Sequence, residues 1–121
     1  MRTAGQHNDM NDLAERFSTR LRTAVQLSCA YYTPQRMTDL LAGCESARDV
    51  AKLAARMVAK GDISDGLRAM VAHGHPELTL ESIMQEEEFK PLFTVDELKA
   101  ADFRLKDARR LGPPRRGMRP R

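Results

Sequence analysis

Eight of the last eighteen residues are cationic: Arg104, Lys106, Arg109, Arg110, Arg115, Arg116, Arg119 and Arg121, against the single carboxylate of Asp107. Residues 1 to 103 carry 12 Lys/Arg and 16 Asp/Glu, a net of −4, whereas residues 104 to 121 carry a net of +7. The formal net charge of +3 therefore conceals two oppositely charged lengths of one chain. Arginine presents a planar, permanently charged fork suited to phosphate and carboxylate oxygens. Those eight residues are the candidate binding set, for nucleic acid or for an acidic partner. Beyond Leu111 the chain reads GPPRRGMRPR. Pro113-Pro114 forbids continuation of a helix and no apolar run follows, so a disordered arm is expected over residues 111–121.

The segment Arg116-Gly-Met-Arg-Pro-Arg121 resembles the AT-hook core, in which Gly-Arg-Pro lies flat in the minor groove. Met118 interrupts that core here, so the resemblance implies attraction to the backbone rather than reading of A·T pairs.

Other reactive residue types are sparse. His73-Gly-His75-Pro-Glu77 places two imidazoles at alternate positions, but a zinc site needs at least a third protein ligand, and only His7 or Glu77 offers one. The simpler expectation is a polar helix terminus, with His73 near the negative end of its helix. No metal and no cofactor are expected. The two cysteines, Cys29 and Cys44, lack metal-ligand spacing and read as small buried hydrophobes in a reducing compartment. No nucleophile–base arrangement has a local signature and no glycine run cradles phosphate, so an enzyme is not expected. Tyr31-Tyr32 is a candidate base-stacking platform, but a junction pair more naturally puts one ring in the core and one at its rim.

The elements that must position these residues are helical. From Asp12, the apolar residues Leu13, Phe17, Leu21, Ala24 and Val25 recur at helical spacing as far as Ala30, with Arg16 and Arg20 on the opposite, solvated face. Residues 1 to 11 are polar and expected to fray. Thr33 and Pro34 mark the start of a short helix carrying Met37, Leu40 and Leu41, which Gly43 stops. Ser46 caps the next, whose stripe is Val50, Leu53, Ala54, Met57 and Val58, ending at Gly61. Ser64 or Asp62 caps another, with Ile63, Leu67, Met70 and Val71 inward and Gly74 and Pro76 at its close. So tight a connection predicts that these two helices pack on each other as a hairpin, the pair on which the remainder assembles. Residues 36 to 58 also fit a helix-turn-helix outline, but Asp39, Glu45 and Asp49 lie near the would-be DNA face, and Arg48, Lys52 and Arg56 form an ordinary solvent stripe.

Thr79 caps a short helix with Leu80, Ile83 and Met84 inward, followed by Glu86-Glu87-Glu88. That acidic triplet is expected as a solvated cap, with the added prospect of holding the basic arm in cis. Phe89, Leu92 and Phe93 around Pro91 should plug one end of the core. Thr94 and Glu97 form a capping box, and Val95, Leu98, Ala101 and Leu105 make the stripe of the last helix, with Phe103 to one side. The stretch from Glu77 to Ala100 resembles the helical C-terminal end of the fumarase/adenylosuccinate lyase superfamily. The lyases' Ser-rich catalytic loop has no counterpart, so the resemblance implies no site residues.

The expectation is an all-α compact bundle of five or six short helices between Asp12 and Arg110, with a disordered basic C-terminal tail. A chain of 121 residues buries roughly two-thirds of its unfolded surface, enough for one core without staples. No stretch approaches the about 18 apolar residues of a membrane span and the opening residues lack an apolar signal region, so a cytoplasmic location is expected. The functional expectation is a small non-enzymatic binding protein, a regulator or inhibitor of a nucleic-acid-handling complex. Its helical body would contact protein and its arm would attract phosphate. An adaptor whose tail docks an acidic partner is the alternative. A helical enzyme or metal protein using His73 and His75 comes third.

Overall fold

The computed structural model describes residues 2–60 and 64–113, with side chains from Met10 onward. Among the described residues there is no strand. The α-helices are α1 (Arg2–Ser28), α2 (Gln35–Ala42), α3 (Ala47–Val58), α4 (Asp65–Ala72), α5 (Leu80–Met84) and α6 (Val95–Leu111). Two 3-10 segments, Pro76–Leu78 and Glu87–Leu92, complete the body.

Helix boundaries follow local chemistry. The Ser46, Ser64 and Thr79 hydroxyls accept from the backbone N–H of Asp49, Leu67 and Ser82, each satisfying a donor that the first helical turn leaves open. Thr94 and Glu97 make the reciprocal capping box that starts α6. Gly74 has φ +83°, its N–H donates to Val71 O, and His75 N–H donates to Met70 O. That pair of bonds around a left-handed residue is a Schellman stop, available to glycine without a Cβ penalty.

The core lies chiefly among α1, α3 and α5. Phe17, Leu21 and Ala24 of α1 meet Val50, Leu53, Ala54 and Val58 of α3 and Leu80, Ile83 and Met84 of α5. Phe89 and Phe93 close one end, edge-on to Phe17 with ring centroids 5.4 and 5.2 Å away. This aromatic plug is where the sequence places it. A second, smaller cluster joins Leu67 of α4 to Leu105 and Ala108 of α6.

Four expectations are corrected. First, α3 and α4 do not form the organising hairpin: α3 packs on α1, and α4 packs on α6 through the smaller cluster. Apolar faces on two short helices specify burial, not burial against each other. Second, α1 begins at Arg2 rather than near Asp12 and is 27 residues long. Third, Val95 is 67 % exposed and takes no part in the core. The inward face of α6 is instead Ala101, Arg104, Leu105 and Ala108, consistent with spacings of three and four. Fourth, Cys29 is exposed and Cys44 half-buried. Gly61, Asp62 and Ile63 lie outside the described residues, as does the expected disordered tail from Pro114 onward.

Candidate functional site

Of the eight cationic candidates, four can be placed, and they divide. Arg104 is buried: its Nε donates to Glu81 Oε2 at 2.8 Å and its Nη1 to the carbonyl of Lys60 at 3.1 Å. Both partners of the ion pair have side chains only 5 % exposed. Arg104 therefore ties α6 to α5 and to the end of α3, and it leaves the set of groups able to meet an external anion. The signal was available, because position 104 falls on the helix face shared by Ala101, Leu105 and Ala108.

Lys106, Arg109 and Arg110 are exposed on the last turns of α6. Their charge complements the negative end of the helix dipole, which favours cations there. Lys106 pairs with Asp102 at 3.0 Å and Arg110 with Asp107. These are exposed contacts within one helix, worth a fraction of a kcal/mol each and readily exchanged for a better anion. Arg115, Arg116, Arg119 and Arg121 lie outside the described residues.

Sequence reasoning missed Arg68. From α4 its Nε donates to Gly112 O at 2.9 Å, and its Nη2 to Pro113 O at 2.9 Å and to Leu111 O at 3.4 Å. One guanidinium thus gathers three consecutive carbonyls where α6 ends and Gly112 turns with φ +77°. Carbonyls at a helix C-terminus have no intrahelical donors, so a cation there satisfies both hydrogen bonding and the dipole. Arg68 fixes the root of the basic arm against the body. No periodicity could show this, since the partners are 44 residues apart.

The histidine cluster forms differently from a metal site. Tyr31 Oη lies 2.9 Å from His75 Nε2, and His75 Nδ1 lies 3.0 Å from Glu77 Oε2. The Tyr31 ring also stacks on His73, with centroids 5.2 Å apart. Both nitrogens of His75 are engaged in this chain, and among the described residues no three His, Cys, Asp or Glu side chains converge as a ligand group. His75 holds the Glu77 carboxyl below its ordinary range, chiefly by a hydrogen bond.

Tyr32 sits on the other side of the junction, half-buried, with its hydroxyl against Gly66. Burial is the main cause that pushes its phenol above the usual range, and the Glu81 charge adds to it. It borders a small cavity of about 50 Å³ beside Thr79, Glu81 and Arg104. That is room for a few waters rather than for a ligand.

The acidic triplet is already engaged. Arg20 pairs with Glu86 at 2.8 Å, Arg16 with Glu88 at 2.9 Å and Lys90 with Glu87 at 3.2 Å. The arginines expected on a solvated face of α1 therefore strap that helix to residues 86–92, and the arm that the triplet is expected to hold in cis lies outside the described residues. Among the described residues no helix is long and apolar enough to cross a membrane. No protein-family model matches the chain, and neither a curated protein nor a solved structure matches it.

Proposed function

We propose that this chain is a small, cytoplasmic, non-enzymatic binding protein that regulates or inhibits a nucleic-acid-handling complex. The helical body supplies a contact with protein, and the cationic end of the chain supplies attraction to phosphate. One observation carries the reading: Lys106, Arg109 and Arg110 project from the terminal turns of α6, and the chain then leads into Arg115, Arg116, Arg119 and Arg121. A run of cationic residues at one end of a chain that is otherwise acidic is an electrostatic footprint for a polyanion.

Binding of a labelled duplex across a salt series tests this. If roughly five phosphates are neutralised, log K falls against log salt with a slope near −4.5, at about −0.9 for each contact on duplex DNA. Replacing Arg115, Arg116, Arg119 and Arg121 by Gln should flatten the slope and weaken binding of every sequence alike. Salt-independent binding, or no binding at low salt, removes the phosphate reading.

A second reading is favoured by Asp102 and Asp107. Their cationic partners, Lys106 and Arg110, already pair with carboxylates, and the same two cations suit the carboxylates of an acidic protein surface. In that case the chain is an adaptor, and the four-Gln variant loses a protein partner while duplex binding is absent from the start.

A further inference from the structure

Arg68 makes more bonds where α6 stops than the end of a helix asks for. Leu111 is the last residue of α6, and its carbonyl is the farthest of the three that the guanidinium meets, at 3.4 Å. The two short bonds, both 2.9 Å, go to Gly112 O and Pro113 O, beyond the helix. Pro113 is exposed, so water would serve its carbonyl as well, and capping the helix gives no reason to hold it. What the guanidinium fastens is the path by which the chain leaves the body. The fastening stands on a fixed base. Leu67 and Ala69, on either side of Arg68, are buried, and Leu67 packs with Leu105 and Ala108 of α6. The clamp also spans the freest joint of the path. Gly112, at φ +77°, has the widest backbone choice of any residue type, whereas the rings of the prolines that follow fix their φ.

We propose that Arg68 is a positioning residue for polyanion binding. It sets the point from which the chain leads on to Arg115, Arg116, Arg119 and Arg121, so that one phosphate backbone meets these and the exposed Lys106, Arg109 and Arg110 together. The inference rests on the phosphate reading above. Arg110 and Arg115 are five residues apart, a reach of at most about 18 Å, and the clamp lies between them. A backbone bound by one group is then held at high effective concentration beside the other. Fixing the Gly112 joint in advance removes ordering that binding would otherwise have to impose, which is the gain of preorganisation. Arg68 does this without touching phosphate, since its Nε and Nη2 are already engaged by carbonyls.

Arg68→Lys in the full chain tests this, because the charge stays while one ammonium cannot span three consecutive carbonyls as the guanidinium fork does. The variant should keep its helical circular dichroism. Without nucleic acid, the backbone amide order parameter of Gly112 should fall from about 0.85, that of rigid backbone, to below about 0.6. With a labelled duplex at low salt, the variant should bind at least about fivefold more weakly than the parent chain. In the four-Gln chain, adding Arg68→Lys should change duplex binding no further. An order parameter that stays high, or parent affinity retained by Arg68→Lys, overturns the proposal while the phosphate reading stands. An equal loss in the four-Gln chain overturns it too, since Arg68 then acts by some route other than the arm. A parent chain that binds no duplex fails earlier, at the phosphate reading itself, and takes the proposal with it.

Discussion

Arg104 of α6 and Glu81 of α5 form a 2.8 Å ion pair in which each side chain is 5 % exposed. The pair sits where α5, α6 and the end of α3 meet, and Arg104 Nη1 also donates to Lys60 O. Two charges taken from water are tolerated only with close geometry and further hydrogen bonds. Among the described residues no buried side-chain polar atom lacks a partner.

Removing one member should therefore cost more than removing both. Arg104→Met leaves Glu81 buried without its cation and should lower stability by about 3–5 kcal/mol. Arg104→Met with Glu81→Leu should lie closer to the parent chain. Urea denaturation of both variants checks this, and equal losses would mean that the pair is not desolvated.

Gly66 and Tyr32 make the second case. A Cβ at Gly66 would stand 2.6 Å from Tyr32 Oη and 2.9 Å from Cζ and Cε2. Alanine in a helix gains up to about 1 kcal/mol over glycine, but the half-buried ring must move, and such overpacking costs about 1–3 kcal/mol. Gly66→Ala should be destabilising in the parent chain and stabilising in a Tyr32→Leu background. A thermal double-mutant cycle measures the change of sign.

Tyr32 also predicts a limit at alkaline pH. Its folded pKa is raised above the ordinary 10.0 by burial and by Glu81. Above pH 10 the unfolded phenol loses its proton while the folded one keeps it, so the unfolded chain gains and stability falls as pH rises. Tyr32→Phe should show a shallower loss above pH 10 than the parent chain, read from denaturation midpoints at stepped pH. Identical profiles would contradict the burial of that hydroxyl.

Thr94 bears the cap with the fullest geometry. Its hydroxyl accepts from Glu97 N–H at 3.1 Å, and Glu97 Oε1 accepts from Thr94 N–H at 2.9 Å. Thr94→Ala should cost about 1 kcal/mol, seen as a lower midpoint in urea with an unchanged slope. A variant as stable as the parent chain would show that the start of α6 is held by packing alone.

What could be read in the sequence was local. Ser46, Thr79 and Thr94 announced helix starts, and Phe17 and Ile83 fell on periodic apolar stripes, because capping and amphipathicity are set within a few residues. Partner choice was not legible. The apolar face of α3 could have met α4 but meets α1, and nothing near Arg68 signals that it will gather the carbonyls of residues 111 to 113. Arg104 shows the same limit from the other side. Counted as charge it belongs to the arm, whereas its helical phase assigns it to the interior, and phase decides. Arg16 and Arg20 looked solvated because their carboxylate partners, Glu88 and Glu86, are 72 and 66 residues away.

Under the proposed function, folding belongs to the helical body and attraction to anions belongs to the end of the chain. A chain ending at Pro113 keeps the three carbonyls that Arg68 holds and loses Arg115, Arg116, Arg119 and Arg121. Duplex binding at low salt, measured for this chain and the full chain after matched denaturation curves, tests the division most directly. The shortened chain should show the same denaturation midpoint and at least about tenfold weaker binding. Equal binding by the two, or a shortened chain that no longer folds, would contradict it.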